Sequence, residues 1–307
     1  MYNTFFNFER EPFSLTPDPR FLYLGAGHQE ALEHMLYGIE SRKGFVLIAG
    51  RVGAGKTTLT RLLLEKLDER THRALIFNTF LNEVELLRAI NRQFGLPADG
   101  FSRESLVDDL NRFLLEIHQK GENAVLILDE AQNLSVAVLE QIRMLSNLET
   151  DNRKLIQILL VGQPELTRTL ARPDLSQLSQ RITVRCHLPA LGLEETIRYI
   201  HHRISAAGPQ ATISFHPGTY RLLHRFSGGT PRLINALCDR ALLVAYTGGE
   251  RLIKPAHVKQ AQVELTSGAL AESRWSFIRR FGPGIIAAAA LAFLAAIAIL
   301  LAWDSRP

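Results

Sequence analysis

The residues with the clearest chemical potential form a glycine-rich run, G-R-V-G-A-G-K-T, at positions 50–57. Glycines let the backbone adopt conformations that other residues avoid, so its N–H groups can turn toward phosphate oxygens. Lys56 supplies positive charge for the β- and γ-phosphates, and the Thr57 hydroxyl can ligate Mg²⁺. The run therefore predicts a site for ATP or ADP with Mg²⁺. Its predicted contacts are Gly50, Val52, Gly53, Ala54, Gly55, Lys56, Thr57 and Thr58.

An acidic pair, Asp129–Glu130, is the second candidate, because it directly follows the apolar run V-L-I-L. We expect Asp129 to bind Mg²⁺ through water, and Glu130 to orient and polarise the attacking water. The alternative is that the pair only caps the helix that follows. Transfer to an acceptor other than water would not need such a glutamate, so the pair favours hydrolysis.

Five short apolar runs must position these groups, and we predict strands at 44–50, 73–78, 124–130, 155–162 and 182–188. Helical stretches separate the strands, which requires crossover connections and a parallel sheet covered on both faces. The glycine-rich run lies between the first strand and a helix, as a phosphate-binding loop requires. The sequence thus predicts an α/β fold of the P-loop NTPase class.

The pattern changes after residue 190, where only helical stretches and glycine-containing turns are visible. We predict six segments. They are a leader at 1–40 packing on the nucleotide site, a nucleotide-binding sheet domain at 41–190, a small all-helical lid at 191–266, a linker at 267–284, a transmembrane helix at 285–303 and a short extracytoplasmic tail at 304–307.

The predicted transmembrane helix rests on residues 285–303, which carry no charge. A helix of this length rises about 28 Å, close to the apolar thickness of a bilayer. A buried helix of a water-soluble domain is the alternative, but such a helix would carry a polar face. Arg274, Arg279 and Arg280 precede the run and Arg306 follows it, which predicts a single-pass protein of the bacterial inner membrane with a cytoplasmic nucleotide site.

The overall composition places only weak limits on the partner and on the role of the cysteines. A net charge of +4 over 307 residues permits a nucleic-acid or anionic-membrane partner without arguing for one. Cys186 and Cys238 are far apart in the sequence, match no metal or redox spacing, and are expected to be buried thiols. The first residues contain neither a basic region nor a long apolar run, so no cleaved export signal is expected.

With both halves of the site in place, the chain resembles AAA+ ATPases, and more narrowly the ExeA-like, general secretion pathway protein A family. The resemblance extends from residue 1 to about 265. It is carried by P-F-S-L-T-P-D-P-R-F-L-Y-L, V-L-I-L-D-E-A-Q-N-L, Q-I-L-L-V-G-Q-P-E-L and S-G-G-T-P-R-L-I-N. It implies a five-stranded sheet with a helical lid, ATP or ADP between them, and assembly into oligomers.

Further site residues follow from the resemblance. It implies that Gln163 senses the γ-phosphate or the attacking water; the alternative is a turn glutamine that caps the helix after Pro164. It places Arg181 as the finger that reaches a neighbouring subunit's nucleotide, since a guanidinium supplies charge without losing its proton. Three nearby arginines, or an internal ion pair of Arg181, are alternatives. The three are Arg168, Arg172 and Arg185.

Two more sets come from the lid and the leader. Thr230 is a plausible N-cap and Pro231 suits the first helical position, so Arg232 lies in the first turn and can bend over the phosphates. Lid angle would then depend on the bound nucleotide. The resemblance also implies an adenine pocket, and packing of the leader is the alternative explanation for its residues. They are Phe21, Tyr23 and His28.

The expected function is that of a membrane-anchored ATPase that works with inner-membrane envelope-assembly proteins, of a secretion, pilus or exopolysaccharide export apparatus. It would form a homo-oligomer or ring. One rival is a nucleotide-gated switch or scaffold without significant turnover. The other is a DNA-binding ATPase that uses lid residues such as His201, His202 and Arg203, although such residues usually form a solvated helix face. A nucleic-acid partner is therefore not expected.

Overall fold

The computed structural model describes residues 2–16, 18–77, 79–99, 102–150 and 153–267. The predicted transmembrane helix at 285–303, the tail, and the linker beyond residue 267 lie outside these ranges. Within them, no helix is both long and apolar enough to cross a bilayer.

The central feature is a five-stranded sheet. The strands of the chain are β1 (Phe45–Gly50), β2 (Thr71–Ile76), β3 (Asn123–Leu128), β4 (Glu149–Thr150), β5 (Arg153–Lys154), β6 (Gln157–Gly162), β7 (Ile182–Leu188), β8 (Ser214–Phe215) and β9 (Leu252–Ile253). The order in the sheet is β2-β3-β6-β1-β7, and every neighbouring pair is parallel. The predicted α/β fold with a parallel five-stranded sheet is confirmed.

Helices connect the strands and continue beyond them. They are α1 (Tyr2–Phe6), α2 (Ala26–Glu40), α3 (Lys56–Lys66), α4 (Glu83–Gln93), α5 (Arg103–Gln119), α6 (Val136–Leu145), α7 (Pro164–Leu170), α8 (Ser176–Arg181), α9 (Leu193–Ala207), α10 (Pro217–Ser227) and α11 (Pro231–Thr247). Residues 255–267 form a further helix.

Strand order explains why three separate motifs meet. The strands β3, β6 and β1 are neighbours in the sheet. Parallel strands end at the same edge, so the loop after β1, the acidic pair after β3 and Gln163 after β6 come together there. The three strands are apolar and almost completely buried because helices cover both faces of the sheet.

Alternate residues of these strands enter two different cores. Leu47, Leu126 and Leu160 belong to the core on one face, with the buried sides of α4, α5 and α6. Ile48 and Ile127 belong to the core on the other face, with α2 and α3. The period of two in strand side chains thus fixes which helix each strand residue contacts.

The lid contains one feature that the sequence pattern does not predict. Its helices α9, α10 and α11 pack around buried residues such as Leu223, Ile234 and Leu242. It is not all-helical, however, because β8 and β9 form a two-residue parallel pair. These segments are too short to give an apolar alternation in the sequence, which is why they were not predicted.

The predicted leader divides between two parts of the protein. Residues 2–14, which we call the N-terminal segment, pack on the lid: Phe6 and Phe13 are buried in the lid core. Backbone hydrogen bonds also connect this segment to the lid. Thr212 N donates to Phe6 O at 2.8 Å, and Glu9 N donates to Ala207 O at 2.9 Å. Helix α2, in contrast, packs on the sheet.

The chain therefore passes between lid and sheet twice, once before α2 and once after β7. Both passages meet at Glu195 in α9. Its Oε1 accepts a hydrogen bond of 2.9 Å from Ala26 N, and its Oε2 accepts one of 3.0 Å from Gly192 N. One carboxylate thus joins the start of α2 to the start of α9.

Candidate nucleotide site

The glycine-rich loop leads from β1 into α3 in the conformation that its glycines predict. Gly53 and Gly55 have φ angles of +76° and +98°, a region that residues with a side chain rarely enter. A Cβ atom on Gly53 would lie 2.6 Å from Cβ of Arg232. The loop therefore forms a cradle that a side chain would fill.

Lys56, the first residue of α3, is almost completely buried, with 6% of its surface exposed. Its Nζ donates to two carbonyl oxygens, Gly50 O at 2.9 Å and Arg51 O at 3.2 Å. Burial lowers the pKa of Lys56, against the opposing effect of Glu130 and Asp129. A buried ammonium held by neutral oxygens retains its attraction for an anion, which fits a phosphate ligand.

Thr57 and Asp129 lie side by side. Thr57 Oγ1 donates a hydrogen bond of 2.8 Å to Asp129 Oδ2, and Asp129 is only 1% exposed. The other carboxylate oxygen accepts from Glu130 N at 2.9 Å. A hydroxyl and a carboxylate are hard oxygen ligands, so the pair fits Mg²⁺.

Glu130 is held by two glutamines. Its Oε2 accepts hydrogen bonds from Gln132 Nε2 at 2.5 Å and from Gln163 Nε2 at 3.2 Å. Burial raises the pKa of Glu130, but these bonds and the charge of Lys56 together hold it below its ordinary value. The carboxylate is thus kept ionised, as a group that polarises water must be.

Neither the Asp129–Glu130 pair nor the Gln163 side chain caps the helix that follows it, which were the alternatives to a role in the site. Ser135, not the acidic pair, caps α6, since its side chain accepts from Val138 N at 3.3 Å. Gln163 stands at the N-cap position of α7, but its side chain caps no backbone group there. Glu130 itself has a φ of +53°, a strained conformation for a residue with a side chain.

Lys56, Thr57 and Glu130 line a cavity of about 370 Å³ between the sheet and the lid. The loop contributes Val52, Gly53, Gly55, Lys56, Thr57 and Thr58. The far wall comes from the leader and the lid. It includes Leu15, Phe21, Tyr23, His28, Tyr199, Arg203, Arg232 and Asn235.

The three predicted adenine-pocket residues all line this cavity, in different settings. His28 is buried, and its Nε2 lies 2.8 Å from Ala54 O of the phosphate loop. Phe21 is buried in the lid core. Tyr23 packs edge-on against Tyr199, with ring centroids 5.8 Å apart. The structure brings the three residues to one wall of the cavity, and each also makes a contact that packs the leader against the lid or the phosphate loop.

Arg203 is placed differently from the solvated helix face that the sequence suggested. It is 7% exposed, and its guanidinium donates to Ser14 O at 3.2 Å and to Tyr199 O–H at 3.1 Å. It also donates to Pro12 O. Arg203 thus fastens the N-terminal segment to the lid and is not exposed to a nucleic-acid backbone.

Arg232 reaches the cavity from the lid. Thr230 occupies the N-cap position of α11 without a side-chain cap bond, and Pro231 is the first helical residue. The backbone N of Arg232 donates to Gly53 O at 3.3 Å, which ties the start of α11 to the phosphate loop. The Arg232 side chain is exposed, and no hydrogen bond or salt bridge joins it to another described residue.

Arg181 does not line the cavity of its own chain. It donates to Ser146 Oγ at 2.7 Å and to Asn147 Oδ1 at 2.5 Å. These partners are uncharged, so the arrangement is not the internal ion pair considered above. The alternative arginines are also engaged away from the cavity. Arg168 Nη1 lies 3.9 Å from Glu165 Oε1, and Arg172 Nη2 lies 2.8 Å from Asp174 Oδ2. Arg185 Nη2 donates a hydrogen bond of 2.5 Å to Ser179 O.

Comparison with known proteins shows which proteins the chain resembles. Residues 39–170 match the AAA domain. Over 276 residues, or 90% of its length, the chain is 45% identical to general secretion pathway protein A of Aeromonas hydrophila. The chain thus contains an AAA domain and is similar to this secretion protein over most of its own length. It spans about half the length of the Aeromonas protein, 50% of which is covered.

Solved structures show a fold similar to that of this chain. Cdc6p of Pyrobaculum aerophilum superposes with a TM-score of 0.63 at 18% identity, covering 81% of this chain and 69% of that one. Drosophila ORC bound to DNA gives a TM-score of 0.62 at 18% identity, covering 86% and 67%. At such identities the likeness concerns the fold alone.

Proposed function

We propose that this protein binds Mg²⁺-ATP in the cavity between sheet and lid and hydrolyses it. One observation carries the proposal. Lys56, the Thr57–Asp129 pair and Glu130 meet at the carboxyl ends of neighbouring strands, and Arg232 faces them from the lid. Charge for phosphate, ligands for the metal and a base for water are thus in one place.

Each group has a role that its surroundings support. The Lys56 ammonium binds the β- and γ-phosphates, and Thr57 and Asp129 would hold the metal. Bound Mg²⁺ supplies charge neutralisation to the phosphate oxygens. Glu130 orients the attacking water and accepts its proton. Gln163 lies close enough to Glu130, at 3.2 Å, to sense the same water or the γ-phosphate.

The test measures phosphate release and nucleotide affinity separately. We expect Glu130→Gln to keep the ATP and ADP affinities of the wild type while its kcat falls by roughly 100-fold or more. Lys56→Ala should weaken both affinities. If wild type and Glu130→Gln are equally inert in phosphate release, hydrolysis is wrong and a nucleotide-gated switch remains; equal measurable rates would contradict only the role of Glu130. A wild type without measurable ATP or ADP affinity would remove both.

We also propose that the ATPase is tethered to the bacterial inner membrane by residues 285–303, with the nucleotide site in the cytoplasm. Support comes from the uncharged run itself and from the arginines that precede it. The full chain should remain in the membrane pellet after alkaline carbonate washing, whereas a variant lacking residues 285–303 should be released. Equal release of both would contradict the tether.

For the partner we propose a cell-envelope export apparatus, because the Aeromonas relative is a general secretion pathway protein. We further propose a ring in which Arg181 completes a neighbour's site. The test mixes Lys56→Ala, which keeps its finger but loses its nucleotide, with Arg181→Ala, which has the reverse defect. Activity regained on mixing supports a finger in trans. No regain with an oligomer present contradicts it.

A further inference from the structure

Gln132 lies between two elements of the site and belongs to neither half of the predicted motif pair. It occupies the short helical turn Ala131–Asn133 that follows Glu130. Both ends of its side-chain amide are used. Nε2 donates to Glu130 Oε2 at 2.5 Å, and Oε1 accepts from the backbone N of Gln163 at 3.0 Å. The side chain therefore bridges the ends of β3 and β6.

The surroundings leave this bridge one orientation. The donor end must face the Glu130 carboxylate and the acceptor end must face the Gln163 N–H, so the amide cannot turn over without losing both bonds. Gly162 adds a steric limit. A Cβ atom at that position would lie 3.0 Å from Gln132 Oε1 and 3.3 Å from its backbone N. The backbone of β6 thus packs directly on Gln132.

The two glutamines that hold Glu130 have different freedom. Gln163 donates to Glu130 through its side chain at 3.2 Å. That amide is also the group expected to turn toward a γ-phosphate. The Gln132 side chain, whose Oε1 accepts from the Gln163 backbone N, has no other predicted role. Among the residues that the structure describes, none donates to Glu130 Oε1, so this oxygen remains available to a water molecule.

We propose that Gln132 is a positioning residue for hydrolysis: it fixes Glu130 through Oε2, so that Oε1 faces the attacking water even after Gln163 has turned to the nucleotide. This inference rests on the proposed ATP hydrolysis. It makes Gln132 distinct from Gln163, whose contact with Glu130 is exchanged during the cycle. A correctly oriented base contributes through geometry, and a misplaced one slows the chemical step without loosening the substrate.

The experiment compares Gln132→Leu with the wild type in the full chain. We expect kcat to fall about 10- to 100-fold, as for loss of a hydrogen bond to a charged group. The KM for ATP and the Kd for ADP should stay within about twofold, because Gln132 does not line the nucleotide cavity. Gln177→Leu, the same change at an exposed position of α8, should leave all three unchanged.

A second arm separates positioning from general damage. In the Glu130→Gln background, Gln132→Leu should cause no further loss of kcat, because a residue that acts through Glu130 has no effect once Glu130 is gone. Gln132→Glu keeps the length but opposes two carboxylates, so its kcat should also fall. Gln132→Glu takes the place of Gln132→Leu in the experiment if Gln132→Leu does not fold.

The outcomes are distinguishable. An inert wild type contradicts the proposed hydrolysis itself. An active wild type with an unchanged kcat in Gln132→Leu contradicts only the role of Gln132. Full additivity of the two substitutions, or an ADP Kd weakened as much as kcat, also overturns it, because either shows that Gln132 supports the fold or the binding of nucleotide.

Discussion

The guanidinium of Arg203 in the lid lies 4.7 Å from the centroid of the Phe21 ring in the leader. Arg203 also reaches the backbone carbonyls of Pro12 and Ser14, so one side chain holds three leader residues. No carboxylate takes part in these contacts. The buried charge is stabilised by carbonyl dipoles and by an aromatic face instead.

Replacing Arg203 by methionine should destabilise the protein by about 2–4 kcal/mol, because buried carbonyls lose their donors while most of the packing volume is kept. Urea unfolding followed by circular dichroism measures the change. Arg225→Met is the matched control: this arginine is exposed on α10, and its replacement should stay within about 0.5 kcal/mol of the wild type. Equal stabilities for all three proteins would show that the Arg203 contacts contribute nothing.

Gly53→Ala should abolish tight nucleotide binding. Its φ of +76° penalises any side chain, and the new Cβ would lie 2.6 Å from Cβ of Arg232. Gly95→Ala provides the control, since Gly95 has a φ of +75° with no atom within 4 Å of a built Cβ. Both should lose about 1 kcal/mol of stability from the backbone strain. Calorimetry with ADP should show a defect for Gly53→Ala alone, and a normal Kd in that variant would disprove the close approach.

Arg232→Ala should weaken ATP binding by about tenfold, the effect of one modest hydrogen bond to a charged group. The effect on ADP should be smaller if Arg232 reaches the γ-phosphate. Stability should not change, because the side chain is exposed and bonds to no described residue. Arg221→Ala, at an exposed site on α10, is the comparison. Identical ATP affinities for Arg232→Ala and Arg221→Ala would rule out a phosphate contact.

Both cysteines should resist thiol reagents in the native protein. Burial raises the pKa of Cys186 to about 11 and raises that of Cys238 further. Only the thiolate reacts, so at pH 8 about one part in a thousand of Cys186 is reactive, and the rate should climb as the pH rises toward 11. Labelling with an aromatic disulfide reagent should be slow in buffer and complete in urea, where two thiols should be counted. Rapid labelling of folded protein would contradict the burial.

The individual strands and the phosphate loop could be predicted because each is encoded by one continuous stretch of sequence. The run from Phe45 to Thr57 contains its own strand, its own glycines and its own lysine. The pair Asp129–Glu130 is equally local, since an apolar run immediately before it identifies a strand end. Neither inference requires knowledge of which segments meet in three dimensions.

Gln132 and Arg203 could not be assigned in this way, because each has a partner in a distant segment. The Gln163 backbone and the N-terminal segment give no signal near either residue. A partial signal did exist for Arg203. Tyr199 and Ala207 are buried on the same side of α9, and Arg203 lies four residues from each of them. An arginine in an apolar stripe predicts a buried partner, although not which one.

The attachment of residues 2–14 to the lid has a consequence for biosynthesis. Ribosomes make this segment before the sheet, whereas the helices that cover Phe6 and Phe13 are made after the whole sheet. Closure of so large a loop is entropically costly and slow. Until the lid helices are made, these aromatic rings have no native partner, so the nascent chain carries an exposed apolar segment that invites chaperone capture or aggregation until translation passes α11.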